Sequence, residues 1–220
     1  MIKILRKIQN EDLKNYLNRG FVMPQKLKNA VFKRQNEFAS GRLCALEALE
    51  RLLGNFKGSV GQDNLCRPIW PIGISGSISH CDNYSVSVVA FKKNALSLGV
   101  DIEEISSCVN KIEAMRELVI TNYEHNFLEC INLKRDLHII YLIFSAKESF
   151  FKCINPINDM LFDFKEIEVY DINFRKSSFK IRLINNRVLS KIPRDIKSIC
   201  GNFDILFGGK AIYTKVDLVS

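Results

Sequence analysis

The chain has 220 residues, of which 47% are hydrophobic and 25% charged, and its formal net charge is +8. This balance is typical of a globular protein with one sizeable core or two small ones, and it excludes a low-complexity chain. No segment is long and apolar enough for a membrane span. The positive charge favours an acidic partner, which could be nucleic acid, a phosphorylated small molecule, an anionic membrane surface or an acidic protein.

The seven cysteines are scattered along the chain without close pairs. This spacing argues against a zinc cage and against a disulfide framework. Reduced thiols in a bacterial-type cytoplasm are the simplest interpretation. The first residues mix apolar and charged side chains, so we expect no signal peptide there.

The first long element is a predicted helix over residues 26–53, which Gly54 ends. We expect Ser40-Gly41 to break or bend it. In one continuous helix Arg34 and Arg42 would share a face. A solvated basic face is the common case for such a pattern, and a phosphate clamp is the functional alternative.

A loop is predicted over residues 55–74, stiffened by Pro68 and Pro71. In such a loop Arg67 and Trp70 could present a cation and a flat ring to a ligand. A single tryptophan is nevertheless more often a core residue, so both interpretations stay open.

Three short strands follow, over residues 76–80, 84–91 and 97–103, and their turns predict a meander. Ser79 and His80 end the first of these strands beside a loop. A hydroxyl and an imidazole at such a place suit an anion, although a lone histidine is more often structural.

The third strand alternates apolar and acidic residues. Asp101 and Glu103 should project from one face, and Val100 and Ile102 from the other. Two carboxylates this close need open water or a metal ion, and a solvated edge strand is the commoner case. Gly99 would let another backbone or a ligand approach the pair.

The segment 106–133 is predicted to be mostly helical, and the pattern over residues 137–153 is strongly helical. Ser145, Glu148 and Lys152 lie on one face of this second helix. Two structural alternatives exist, a capping box formed by Ser145 and Glu148, and an ordinary i,i+4 ion pair between Glu148 and Lys152. The adjacent pair Phe150-Phe151 is expected in the core.

The last third of the chain is predicted to be β-structure with no evident chemistry. Good turn sites are Asn185-Asn186 and Gly208-Gly209. The predicted strands cover residues 167–170, 179–184, 203–207 and 210–218.

Taken together, five motifs resemble those of the 4′-phosphopantetheinyl transferases, and they occur in the family's order over residues 30–155. The resemblance is to the large monomeric type that serves siderophore and nonribosomal peptide synthetases, and the first two motifs resemble its enterobactin-pathway branch. The motifs are FASGR (38–42), RPIWP (67–71), SISH (77–80), GVDIE (99–103) and FSAKESFFK (144–152).

The resemblance implies transfer of the phosphopantetheine arm of coenzyme A to a serine of a carrier protein. It implies that Asp101, Glu103 and Glu148 hold Mg²⁺, or Mn²⁺, against the pyrophosphate of coenzyme A. Glu148 would also act as the base for the carrier serine. Lys152 would neutralise the charge that develops on the pyrophosphate.

The resemblance also assigns the contacts to coenzyme A. The 3′-phosphate would be bound by Arg42 and His80 with help from Arg34. The adenine would be bordered by Arg67 and Pro68, and Ser79 would contact the pyrophosphate.

The implied fold is α+β, with two similar α/β subdomains related by a pseudo-twofold axis and coenzyme A between them. We place the subdomains at residues 1–105, with the phosphate and adenine contacts, and at residues 106–220, with the Lys-Glu-Ser-x-x-Lys helix. The expected protein is a cytoplasmic monomer whose partners are acidic carrier proteins and not nucleic acid.

Two other functions stay open at this point. A different Mg²⁺-dependent phosphotransferase or nuclease would share the three carboxylates. A basic module that binds nucleic acid would share the charge.

Overall fold

The computed structural model describes residues 1–130, 133–159, 163–184 and 199–219. Helices and strands are interspersed in this part of the chain, which confirms the predicted α+β class. The predicted turn at Asn185-Asn186 lies outside the described residues. The turn at Gly208-Gly209 is confirmed, because both glycines have a positive φ, 66° and 90°.

The N-terminal half builds an antiparallel three-stranded sheet in the order β1-β5-β4, and β2 pairs with β3 separately. A long helix, α2, packs on the three-stranded sheet through an apolar cluster that includes Ala45, Leu49, Ile4 and Val89. The elements are β1 (Ile2–Lys7), α1 (Asp12–Asn18), α2 (Phe32–Leu53), β2 (Gly61–Gln62), β3 (Pro68–Ile69), β4 (Ile74–His80) and β5 (Tyr84–Phe91).

Helix α2 is shorter than the sequence predicts and is continuous from Phe32 to Leu53. It begins at Phe32 because Val31 has an extended backbone, and upstream there is only a 3₁₀ turn over Gln25–Leu27. The helix does not break at Ser40-Gly41, and the alternative of a bend there stays a prediction. A Cβ on Gly41 would lie 2.9 Å from Cγ2 of Ile78, so this glycine lets the helix approach β4 closely.

The C-terminal half builds a five-stranded antiparallel sheet in the order β6-β10-β9-β8-β7, which confirms the four strands predicted there. A second long helix, α5, packs across β6 and β10. The elements are β6 (Ser97–Glu104), α3 (Val109–Leu118), α4 (Asn122–Glu129), α5 (Leu133–Asn158), β7 (Ile167–Asn173), β8 (Ser178–Leu183), β9 (Ile199–Leu206) and β10 (Ala211–Leu218). Each of the two larger sheets thus carries one long helix, as expected for the implied fold of two similar subdomains.

The predicted three-strand meander is only half right. Strands β4 and β5 form a hairpin, but β6 cannot pair with β5, because β1 and β4 already occupy both edges of β5. Strand β6 pairs with β10 instead. The chain therefore changes sheets between Phe91 and Ser97. The boundary proposed near residue 105 stays a prediction, and the strand pairing favours an earlier one.

Strands β4 and β6 meet along a row of alternate serines on β4, which we call the serine seam. Ser75 Oγ donates to the carbonyl of Ala95 at 2.7 Å, and Ser77 Oγ accepts the N–H of Val100 at 3.1 Å. Ser79 Oγ then donates to Oδ1 of Asp101 at 2.8 Å. The seam links the two sheets through side chains rather than through a backbone ladder.

Helix α5 and strand β6 touch through their backbones at Gly99. A Cβ on this residue would lie 1.8 Å from the carbonyl oxygen of Ser149 and 2.6 Å from the amide nitrogen of Cys153. Contacts this short are impossible for any side chain, so the position requires glycine. The expectation that Gly99 admits another backbone is confirmed.

All seven cysteines are free thiols, as their spacing predicts. In the part of the chain that the structure describes, no helix has the length and apolar character needed to cross a membrane.

Gly99→Ala is expected to lower the free energy of unfolding by about 1–3 kcal/mol, because the added methyl group must push α5 away from β6. Urea denaturation measures this loss. Gly61→Ala is the matched control, since its nearest neighbour, Cδ1 of Ile69, lies at an ordinary 3.7 Å. We expect the control to change stability by less than about 1 kcal/mol. An equally small effect at Gly99 would show that the contact constrains nothing.

Candidate active site

Asp101 is the centre of the candidate site, and its carboxylate is 2% exposed. Oδ1 accepts hydrogen bonds from Ser79 Oγ at 2.8 Å and from Lys152 Nζ at 2.6 Å. Oδ2 is buried and has no hydrogen-bond partner among the described residues. The alternative of a solvated edge strand is therefore wrong for this residue.

Glu103 lies two residues further along the same face of β6. The opposite face carries Val100 and Ile102, which are buried in an apolar cluster, so the predicted alternation is confirmed. Burial and the neighbouring charge of Asp101 raise the pKa of Glu103 to about 7. Its nearest cation is Lys111 at the start of α3, with Nζ 3.5 Å from Oε2.

Helix α5 brings Glu148 and Lys152 to this face. Lys152 Nζ lies 3.9 Å from Oε2 of Glu148, further than from Asp101, so the ordinary i,i+4 ion pair is the weaker of its two contacts. The predicted capping box is wrong, because Ser145 lies in the middle of α5.

The pKa values of both α5 side chains are raised, which favours the neutral form of Glu148 and the charged form of Lys152. Burial, together with the charge of Asp101, raises the pKa of Glu148. Burial alone would lower the pKa of Lys152, but the carboxylates of Asp101 and Glu148 outweigh it and raise that pKa, so the ammonium stays charged. The three carboxylates of Asp101, Glu103 and Glu148 thus outnumber the two ammonium groups beside them, those of Lys111 and Lys152.

The described residues contain no cluster of three His, Cys, Asp or Glu side chains already arranged around one point as metal ligands. The chemistry of the donors nevertheless fits a hard dication. Asp101 has an unpartnered buried oxygen, and the raised pKa values of Glu103 and Glu148 indicate missing positive charge. Carboxylate oxygens are what Mg²⁺ binds in proteins.

A second group of predicted residues lines a separate cavity of about 230 Å³. Arg42 is 5% exposed, its guanidinium lies over the ring of Phe38 at 4.7 Å, and burial lowers its pKa to about 10. Its buried Nε has no hydrogen-bond partner in the described part of the chain. A buried cation left without a counter-ion indicates an anion site.

Arg34 and His80 lie in the same cavity, as predicted. Arg34 Nη1 is 2.9 Å from Nε2 of His80, and since a guanidinium can only donate, Nε2 must accept. The neutral imidazole then carries its proton on Nδ1, which lies 3.7 Å from Oε2 of Glu37. Burial and the charges of Arg34 and Lys152 lower the pKa of His80 to about 4.

Lys26 also lines this cavity, and the predicted site omits it. In the sequence this lysine is only the first residue of the predicted helix over residues 26–53, and nothing there assigns it to the site. What brings it to the cavity is the 3₁₀ turn over Gln25–Leu27, which has no clear sequence signal.

A larger cavity of about 880 Å³ reaches Lys152, and Pro68, Cys66 and Ile78 line both cavities. Arg67 borders it and joins the loop to the end of α5: its Nε lies 2.7 Å from Asp63 Oδ2, and Nη1 pairs with Asp159.

Two aromatic residues also border the larger cavity. Trp70 packs partly on the N-terminal core, with its ring against Gly76, so it combines both predicted roles. Phe150 is fully buried as expected, whereas Phe151 lies at the cavity wall and not in the core.

Lys147, the first residue of the Lys-Glu-Ser motif, lies away from the site. Its side chain is fully buried, and Nζ donates to Val119 O at 2.7 Å, Glu124 at 2.8 Å and Phe164 O at 3.0 Å. This lysine therefore ties α5 to the junction of α3 and α4 and contributes to the fold.

Two family profiles match the chain. A profile described as the 4′-phosphopantetheinyl transferase N-terminal domain matches residues 23–90, and one described as the 4′-phosphopantetheinyl transferase superfamily matches residues 97–197. The gap between them coincides with the segment where the chain passes from the first sheet to the second.

Several curated proteins are also similar to this chain. The chain is 38% identical over 141 residues to 4′-phosphopantetheinyl transferase Svp of Streptomyces mobaraensis, which covers 64% of this chain and 56% of the relative. It is 32% identical over 143 residues to 4′-phosphopantetheinyl transferase Npt of Nocardia iowensis, covering 65% and 62%. It is 38% identical over 129 residues to enterobactin synthase component D of Escherichia coli K12, covering 57% of each chain. The matches thus span little more than half of the relatives' own length.

The low pKa of His80 predicts how stability depends on pH. Charged groups face the ring from α2 (Arg34, Glu37 and Arg42), from α5 (Lys152) and from β6 (Asp101). The folded-state pKa of about 4 lies below the ordinary 6.5, so neutral His80 stabilises the fold above pH 6.5. This stabilisation is lost as the pH falls from 6.5 toward 4.

We therefore expect the difference in unfolding free energy between wild type and His80→Gln to shrink by roughly 1–2 kcal/mol from about pH 7.5 to about pH 5. Urea denaturation at both pH values measures it. The control is His125→Gln, because His125 is largely exposed on α4. A difference that does not change with pH would mean that His80 is not held neutral.

Proposed function

Since the chain belongs to the 4′-phosphopantetheinyl transferase superfamily, we propose that it transfers the 4′-phosphopantetheine arm of coenzyme A to a serine of an apo carrier protein. The leaving group is adenosine 3′,5′-bisphosphate. The carriers that we propose are those of siderophore or nonribosomal peptide synthesis, because enterobactin synthase component D is among the relatives.

The observation that carries this proposal is the buried guanidinium of Arg42, whose Nε has no hydrogen-bond partner among the described residues. Its cavity also contains Lys26, Arg34 and His80, and it shares three lining residues with the larger cavity that reaches Lys152. Coenzyme A has a 3′-phosphate on its ribose and a pyrophosphate further along, so it needs cations at two separated places. The cavity around Arg42 would supply the cations for the 3′-phosphate, and the larger cavity would supply Lys152 for the pyrophosphate. A nuclease would use the carboxylates of Asp101, Glu103 and Glu148, which we call the acidic group, but it has no need for a buried cation at Arg42.

The residues of α5 and β6 would then divide the chemistry. The carrier serine loses its proton to Glu148, whose raised pKa brings it closer to that of a useful base. The serine oxygen forms a bond to the phosphorus next to the pantetheine arm, and the bond from that phosphorus to the bridging oxygen of the pyrophosphate breaks. Lys152, oriented by Asp101 and Ser79, lies where it can neutralise the charge left on the departing phosphate.

The divalent ion fits the acidic group. Asp101, Glu103 and Glu148 would hold Mg²⁺, for which Mn²⁺ can substitute. When bound, the ion would neutralise the pyrophosphate charge and orient it.

The remaining parts of the proposal concern the protein's surroundings. The net charge of +8 would steer acidic carrier proteins toward the site. Seven free thiols support a cytoplasmic location. We propose a monomer that does not act on nucleic acid.

The direct test is to incubate the protein with coenzyme A, Mg²⁺ and an apo carrier protein and to record the mass of the carrier. We expect a gain of one phosphopantetheinyl group, which requires both coenzyme A and the divalent ion. A panel of siderophore, peptidyl and fatty-acid carriers at equal concentration would identify the preferred class. If no carrier gains mass, the proposed function is wrong.

Arg42→Met is expected to separate binding from stability. Removal of an uncompensated buried cation should leave the melting temperature of the free protein unchanged or raised. Adenosine 3′,5′-bisphosphate should no longer raise the melting temperature of the variant. Loss of one charged hydrogen-bonding group lowers the affinity for this nucleotide by about 10- to 100-fold. Thermal unfolding with and without this nucleotide measures both effects.

Arg51→Met is the control, because Arg51 is an exposed residue at the end of the same helix and pairs with Glu47. It should retain the full effect of the nucleotide. If Arg42→Met also responds like wild type, Arg42 does not bind the 3′-phosphate.

A further inference from the structure

Thr214 lies on β10 directly opposite Asp101 on β6, in an antiparallel pair. Paired residues of neighbouring strands project to the same face of a sheet, so Thr214 shares the face that α5 covers. The residue is fully buried. The sequence places it in an ordinary β-strand, and the reaction proposed above gives it no role.

The hydroxyl of Thr214 makes every hydrogen bond that a hydroxyl can make, and all of them are to α5. Oγ1 donates to the carbonyl oxygen of Ser145 at 2.8 Å. Since its one proton is used there, Oγ1 accepts from Ser145 Oγ at 2.8 Å and from Ser149 Oγ at 2.6 Å, and the Ser149 proton is shared with the backbone carbonyl of Thr214 at 3.1 Å. One side chain thus binds two residues that lie a turn apart on the helix.

These contacts bracket Glu148 and continue toward Lys152. Ser149 follows Glu148 directly, and Cys153 follows Lys152. The carbonyl of Cys153 accepts a hydrogen bond from Ser97 Oγ at 2.6 Å. Between the two hydroxyl contacts, the helix backbone lies on Gly99. These contacts therefore fix the distance of α5 from the sheet at two successive turns of the helix, one next to Glu148 and one next to Lys152.

We propose that Thr214 is a positioning residue: through Ser145 and Ser149, its hydroxyl holds α5 so that Glu148 and Lys152 face Asp101 at the distance that the reaction requires. The inference rests on the proposed function, because it is the proposed reaction that requires Glu148 and Lys152 at a particular distance from Asp101. The contacts themselves are independent of it.

A hydroxyl is required here for a physical reason. Valine has the shape of threonine, but in its place the Ser145 hydroxyl would lose its acceptor and the Ser145 carbonyl would lose a donor within a buried contact. The Ser149 hydroxyl would lose its shorter bond, at 2.6 Å, and be left with the longer one to the backbone carbonyl of residue 214, at 3.1 Å. The helix would have to shift to recover these bonds. Serine keeps the hydroxyl and loses only a methyl group, so it should preserve the geometry.

The test compares Thr214→Val with Thr214→Ser in the full chain. Binding of Mn²⁺ alone is measured from the electron paramagnetic resonance signal of the free ion, and kcat and the KM for coenzyme A are measured with an apo carrier. For Thr214→Val we expect Mn²⁺ binding to weaken by about 10- to 100-fold and kcat to fall by about 100-fold. With the divalent ion at saturating concentration for every variant, the KM for coenzyme A should stay within about twofold, because the cationic cavity lies against the other sheet.

Thr214→Ser should retain Mn²⁺ binding and kcat within about threefold, and so should Ser87→Ala, which removes a buried hydroxyl from β5. Equal losses in Thr214→Val and Thr214→Ser would show that packing, and not the hydroxyl, matters, and would overturn the proposal. Wild-type behaviour of Thr214→Val would overturn it as well.

If Thr214→Val does not fold, Ser149→Ala tests the same contact from the helix side. It should lower kcat and weaken Mn²⁺ binding without changing the KM for coenzyme A, and unchanged values overturn the inference. If wild type binds Mn²⁺ but modifies no carrier, the proposed function is wrong. Mn²⁺ binding by the variants then still decides the role of Thr214. A wild-type protein that does neither overturns both.

Discussion

The contact of Lys152 with Asp101, at 2.6 Å, joins two elements of the C-terminal half, and Ser79 adds a residue of the N-terminal half. The lysine is on α5, the aspartate is on β6, and Ser79 on β4 hydrogen-bonds to both. Lys152 supplies the charge that a buried carboxylate needs, and it also lies at the wall of the larger cavity. The close approach of α5 to β6 at Gly99 makes this contact possible, so the geometry of the site follows from one glycine.

The molecule keeps two opposite charge imbalances apart. The cavity around Arg42 has cations and no counter-ion for that guanidinium in the described residues, whereas the face of β6 has more carboxylate than cation. Each imbalance costs stability in the free protein, because buried charges without partners are unfavourable. A ligand with a phosphate at one end and a metal-bound pyrophosphate further along would relieve both. This is the physical reason why a fold would retain such groups.

Local patterns in the sequence predicted where several candidate residues lie on their elements, but their assignment to one site came from the family resemblance. The alternation at Asp101 and Glu103, the shared face of Arg34 and Arg42, and the need for glycine at position 99 all depend on the geometry of a single element. Pairing between distant elements was not predictable, which is why β6 was expected beside β5. Thr214 was missed for the same reason: a threonine in an apolar strand is ordinary, and only the approach of α5 reveals its bonds.

The serine seam has a mechanical consequence. Within each sheet, neighbouring strands are held by a continuous backbone ladder, but β4 and β6 are linked through side-chain hydroxyls and the apolar cluster behind them. Hydroxyls rotate and exchange partners at little cost, so this line is more compliant than either sheet. The cationic cavity lies on one side of it and the acidic strand on the other. A substrate that bridges the two would therefore bend the protein here first, and the seam would act as its hinge.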